Sequence, residues 1–144
     1  MGLEDFLSQE RKIKLSDDKT YTLSRLLLNP MAAIQEHFGV ELLKDYSTPA
    51  EDGSQQIPVL GIGIILNRMM SNLDDFVFVV WQLMRKSHRD MTLEDAGWLL
   101  GLDSYPQVLQ AASIMLTYSL PIPDEKKREI VAEMLVQIPT LIGN

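Results

Sequence analysis

The sequence predicts a mainly α-helical fold: a helical bundle of about five to six helices with a small N-terminal β-hairpin. Two patterns carry that expectation. From residue 57 onward apolar residues recur at helical spacing, in segments bounded by Pro, Gly and capping residues. Between residues 12 and 23 the pattern instead alternates polar and apolar. Composition agrees with a globular chain: 144 residues, 46% hydrophobic and 23% charged.

Residues Leu3–Glu10 carry a weak helical pattern. Lys12-Ile13-Lys14-Leu15 and Thr20-Tyr21-Thr22-Leu23 then read as two strands, with Ile13 and Leu15 on one face and Tyr21 and Leu23 on one face. The polar cluster Ser16-Asp17-Asp18-Lys19 joins them. No Asn-Gly or Asp-Gly pair is present, so the expected turn is longer than two residues. Asn29-Pro30 reads as a cap followed by the first helical position, and Gly39 as the left-handed stop of a helix over Pro30–Phe38. Val40–Tyr46 fits either a strand or a helical turn. Ser47–Gln56 has a single apolar residue, Ala50, and reads as a linker. The expected organisation is therefore an N-terminal module over residues 1–46, a linker over 47–56 and a helical module over 57–144.

In the second module, Pro58 starts a helix reaching Met70, with Gly61 and Gly63 as weak points. Asn72 caps a helix over Leu73–Lys86. Leu73, Phe76, Val77, Val80 and Met84 form its stripe, and Phe78, Val79, Trp81 and Leu83 fill the other sides, so it is expected to be central and covered all round. Thr92-Leu93-Glu94-Asp95 resembles a capping box and starts a helix to Leu100, stopped by Gly101. Ser104-Tyr105-Pro106-Gln107 reads as another box, leading a helix to Ser119 with Val108, Leu109, Ala112, Met115 and Leu116 inward. Pro121 and Pro123 break it. Asp124 caps a last helix through Gln137, with Ile130, Val131, Met134, Leu135 and Ile138 inward, and Pro139 ends it. A short apolar tail follows, with Leu141 and Ile142.

Charge and composition exclude several functions. Net charge is −7, from 13 basic and 20 acidic residues, which argues against a protein that binds by neutralising nucleic-acid phosphates. With 0 cysteines the chain has no disulfide, thiol nucleophile or Cys-based metal site. Met1–Phe6 is acidic and lacks an apolar core, so no signal peptide is expected. The most apolar stretch, Ile57–Met84, carries Arg68, Asp74 and Asp75. Each would cost roughly 2.5–3.5 kcal/mol in mid-bilayer, so it reads as buried helices and no membrane partner is expected.

No residue pattern points to catalysis, a cofactor or a metal. Gly61-Ile62-Gly63 follows no strand and lacks a third glycine. His37 and His88 lack ligand spacing. Asp74 and Asp75 suit a helix start. Ser87, His88 and Asp90 are adjacent in sequence, which a catalytic triad does not require and rarely uses. Arg85, Lys86, His88 and Arg89 form the one basic cluster, read as a solvated helix end or a contact for an acidic group. Trp81 and Trp98 read as core.

Three segments resemble a known family. They are the hairpin I-x-L-x-D-x-K-x-Y-x-L of residues 13–23 with the helix Pro30–Gly39; the aromatic-aliphatic helix Phe76–Lys86; and Met91–Leu100 followed by Tyr105-Pro106-Gln107-Val108. Over about two-thirds of the chain, these resemble the tail assembly chaperones of long-tailed bacteriophages and prophages. The resemblance implies a small non-enzymatic protein of the bacterial host cytoplasm. Such a protein binds the tape measure protein, helps recruit tail-tube protein and is absent from the mature virion. Two other classes stay open: a head–tail or tail component retained in the particle, and a small enzyme or regulator whose site is assembled only in three dimensions.

An isolated two-stranded hairpin is marginal in water. A homo-oligomer is therefore expected, with partner contacts through Ile13, Leu15, Tyr21 and Leu23 of the hairpin and Leu141 and Ile142 of the tail. The alternative is a monomer whose hairpin packs on its own Pro30–Phe38 helix.

Overall fold

The structure is a computed structural model that describes residues 10–40, 57–120 and 123–142, with side chains described for 10–40, 61–120 and 123–133. Two antiparallel strands, β1 (Glu10–Lys14) and β2 (Thr20–Ser24), precede six helices among the described residues: α1 (Leu28–Phe38), α2 (Ile57–Ser71), α3 (Leu73–Met84), α4 (Leu93–Leu99), α5 (Tyr105–Tyr118) and α6 (Asp124–Ile142). The mainly α fold with a small hairpin is thus what the chain adopts. The Leu3–Glu10 helix, apart from Glu10, which lies in β1, and the Ser47–Gln56 linker fall outside the described residues. So does Val40–Tyr46 beyond Val40.

The hairpin register pairs Arg11 with Leu23 and Ile13 with Tyr21. These four side chains share a face, and Ile13 and Leu23 are buried. The loop between the strands is long, as expected. The Leu15 amide donates to the Lys19 carbonyl at 3.2 Å, and Asp18 adopts the left-handed conformation (φ 64°) that Asp tolerates better than most residues. The Tyr21 hydroxyl donates to Asp17 and holds its carboxyl below the usual range.

Local signals set three of the helix ends. Asn72 Oδ1 accepts from the amides of Asp74 (2.9 Å) and Asp75 (3.3 Å) at the start of α3. The Thr92–Asp95 box forms in both directions, at 3.0 and 3.1 Å. Gly39 closes α1 with φ 67°.

Three helix ends differ from expectation. α1 begins at Leu28, one position before Asn29, with Leu27 at the cap. Pro30 then lies within the first turn, where its missing N–H would have had no helical partner. Ser104 does not cap α5: its backbone is already helical (φ −95°, ψ −5°), and its hydroxyl donates to the Gly101 carbonyl at 3.2 Å. Pro139 lies inside α6, which continues to Ile142. A proline deletes one helical bond and bends the helix without forbidding its continuation.

One apolar cluster runs through both segments flanking the expected linker. It joins Ile13, Leu15, Leu23, Met31, Ile34 and Phe38 to Ile62, Ile65, Met69, Phe76, Val80, Leu109 and Met115. The hairpin packs mainly against α3 and α5, and α1 packs against α3. Polar bonds fasten the same junction. The Thr22 amide donates to His88 Nε2 at 3.0 Å. The Leu26 amide donates to Ser119 Oγ at 2.8 Å, and the Ser16 hydroxyl to the Leu99 carbonyl at 2.8 Å. Residues 10–40 are therefore part of the helical core. The hairpin, expected in the monomer alternative to pack on its own Pro30–Phe38 helix, is seated mainly on α3 and α5.

The most enclosed helix is α5, not α3. From Val108 to Tyr118 every side chain but Gln110 is buried. Ser113 and Thr117 enter the core because their hydroxyls donate to the carbonyls four residues back, at 2.7 and 2.9 Å. At its end, Lys127 of α6 is 7% exposed and donates from Nζ to the Tyr118 carbonyl at 3.0 Å. That satisfies a terminal carbonyl of α5, and burial pushes the Lys127 amine down.

Candidate functional site

The polar groups noted in the sequence are used to hold helices together. Asp75 is buried where α1, α2 and α3 meet. It accepts from His37 Nε2 at 2.8 Å and from Arg68 Nε at 3.1 Å. The His37 ring stacks on Phe78 with centroids 4.1 Å apart, and the Arg68 guanidinium lies 5.3 Å from the centre of the Phe38 ring. Burial by itself would raise the Asp75 carboxyl. The hydrogen bonds and charges of His37 and Arg68 outweigh it and hold the group below the ordinary carboxylate range.

This sets the sign of a pH effect. A carboxyl lowered on folding contributes stability above its unfolded pKa of about 3.9, and that contribution disappears as pH falls through the lower folded value. Asp75→Asn is expected to lower stability at neutral pH by about 1–3 kcal/mol. It is also expected to flatten the fall in stability below about pH 4. Urea melts across pH measure both. An acid limb identical to that of the natural chain would remove Asp75 from this role.

Among the described residues no group of three or more His, Asp and Glu is placed to hold a metal ion. No helix there is long and apolar enough to cross a membrane. Ser87 lies 3.3 Å from Ser24 through their hydroxyls, while His88 Nε2 is engaged by the Thr22 amide. His88 is thus a structural acceptor beside Tyr21, with ring centroids 5.1 Å apart.

The surface is more informative than these polar groups. Leu73, Leu93 and Leu102 are 58%, 41% and 77% exposed, and they border an open groove of about 570 Å³. Its floor is Phe76, Val77 and Gly97, and its one charged lining residue is Asp74. The exposed carboxylates Glu94 and Asp103 are the chain neighbours of Leu93 and Leu102. Beside it, Trp98 projects from α4 at 81% exposure, over a shelf formed with Met91, Leu99, Asp90 and Asp95. A third hollow, of about 730 Å³, lies between Leu27, Leu28 and the basic residues Arg85, Lys86 and Arg89.

These positions correct two expectations. Trp98 is not core. The short α4 turns its Ala96 inward and leaves position 98 on the outer side, whereas Trp81 stays half-buried, its indole N–H donating to the Met91 carbonyl at 2.9 Å. Leu73 belongs to the exterior as well, on the rim of the groove. Of the residues expected to meet a partner, Ile13, Leu15 and Leu23 are buried in the chain's own core, and Tyr21 is half-buried. That hairpin face packs against α3 and α5. Leu141 and Ile142 lie in the last turn of α6, where side chains are outside the described set.

Comparison of the chain with protein-family models, with curated proteins and with solved structures gives no match.

Proposed function

We propose that the chain is a non-enzymatic assembly chaperone of the phage tail type. It holds an apolar segment of the tape measure protein in the bacterial cytoplasm, promotes addition of tail-tube protein and leaves before the particle is complete. The observation that carries this reading is Trp98, 81% exposed on a capped helix and sharing a shelf with Met91 and Leu99. An exposed tryptophan adds nothing to the fold and supplies a large contact area at small entropic cost, as binding hot spots do. The resemblance in the hairpin and in residues 76–108 supplies the identity of the client. The neighbouring Asp90 and Asp95 suit a client segment with Lys or Arg beside its apolar residues.

Co-expression with the tape measure protein encoded nearby, followed by affinity capture, tests the reading. Trp98→Ala should weaken capture by about 2 kcal/mol, roughly thirtyfold in Kd. Its unfolding free energy should change by less than about 0.5 kcal/mol, because the side chain is exposed. Failure of the natural chain to capture the client, or its presence in purified particles by mass spectrometry, would overturn the assignment.

A further inference from the structure

The hollow between the start of α1 and the turn after α3 differs from the other two in charge. The charged residues lining those are carboxylates, Asp74 in one and Asp90 and Asp95 in the other. This one is lined by Arg85, Lys86 and Arg89, beside Leu27 and Leu28, and by no carboxylate. In a chain of 13 basic and 20 acidic residues, that is a local reversal of charge. Lys86 and Arg89 are exposed and, among the described residues, have no ion-pair partner. Arg85 is steadied by Gln82, its Nη1 donating at 2.9 Å, and by the Trp81 ring, whose centre is 4.9 Å away. Both walls are fastened. The Thr22 amide on His88 Nε2 and the Ser24–Ser87 hydroxyl contact tie the basic turn to β2, and the Leu26 amide on Ser119 Oγ holds the chain just before Leu27. Leu27 and Leu28 are nevertheless 52% and 75% exposed. The dipole of α3 accounts for Arg85 and Lys86 at its end, but not for Arg89 or for the two leucines.

We propose that this hollow binds an acidic, apolar segment of a partner protein, its apolar side chains against Leu27 and Leu28 and its carboxylates on Arg85, Lys86 and Arg89. The lining selects the occupant. Guanidinium forks pair with carboxylates through two parallel hydrogen bonds, and Lys86 adds a point charge. The leucines call for apolar contact, which a free phosphate or other small anion does not supply. A hollow of about 730 Å³ receives a convex segment, whereas a flat bilayer would touch only its rim. Nucleic acid presents a continuous run of phosphates to a chain of net charge −7, and three cations offset few of them. A short acidic segment carries fewer charges and adds the leucine contact. Because both walls are already held in place, little ordering is needed when it binds. The hollow shares no lining residue with the Trp98 shelf, so this proposal does not depend on the identity of any client.

Fluorescence anisotropy with the full chain and a labelled synthetic peptide tests the proposal. The peptide carries two leucines one helical turn apart, glutamates at the adjoining positions and alanine elsewhere; its twin carries lysine for each glutamate. The glutamate peptide should bind saturably, and more weakly as salt rises from about 50 to about 500 mM. Arg89→Glu and Leu28→Asp should each weaken it by about tenfold or more. Both positions are exposed, so circular dichroism should match that of the natural chain. Lys86→Glu, at another exposed position, replaces either variant whose spectrum changes. The lysine twin should bind the Arg89→Glu chain more tightly than the natural one. No saturation below about 1 mM peptide would overturn the proposal, as would variants that bind like the natural chain. So would co-sedimentation with phosphatidylserine vesicles, abolished by Arg89→Glu, in a chain that ignores the peptide: that result would make the occupant a lipid surface.

Discussion

Phe76→Ala is expected to lower the unfolding free energy by about 3–5 kcal/mol. Phe76 is 2% exposed and lies on α3 between the core and the groove. Its ring centre is 4.7 Å from that of Tyr105, whose hydroxyl donates to the Met69 carbonyl at 3.2 Å. Truncation removes the ring's own burial and also the wall against which Tyr105 is held, so the link from α5 to α2 loosens with it. The groove opens over the same spot, and water entering there would place the loss toward the lower end of that range. Urea denaturation measures it, and a loss below about 1 kcal/mol would take Phe76 out of the core.

Leu23→Ala is expected to destabilise the whole chain by about 2–5 kcal/mol, as a single shifted transition. Leu23 is 0% exposed and belongs to the same apolar cluster as Val80, Leu109 and Met115. If the hairpin were an appendage on a linker, this change would melt residues near the N-terminus early and leave the helices untouched. Shared burial predicts the opposite: near-ultraviolet and far-ultraviolet signals should fall together at the lower urea midpoint. Two separated transitions would restore an independent N-terminal module.

Much of the fold was legible because its signals are local. Asn72, Thr92 with Asp95, and Gly39 act within a few residues, and each does in the structure what its type allows. The alternation in residues 12–23 likewise specified a hairpin and its buried face. Proline was the less dependable mark. At Pro30 the ring sits in the first turn, where no helical bond is lost, and at Pro139 it lies inside a helix that gives up one bond.

What the sequence determined by itself is therefore the order of the described elements, the caps at Asn72, Thr92 and Gly39, and the absence of cysteine chemistry. The tertiary structure alone decided which of them face one another. Asp74 and Asp75 are the same residue type in adjacent positions, yet a helix turns about 100° per residue. One carboxylate points to the groove and the other into the His37–Arg68 pocket. α5 became the enclosed helix although Ser113 and Thr117 weaken its apolar pattern, because back-bonded hydroxyls can enter a core that composition would deny them. Trp98 went outward despite its size, and Leu27 and Leu28 came to lie beside Arg85 and Arg89 from far along the chain. Those juxtapositions are set by packing between elements distant in sequence, and no period or motif within a single element encodes them.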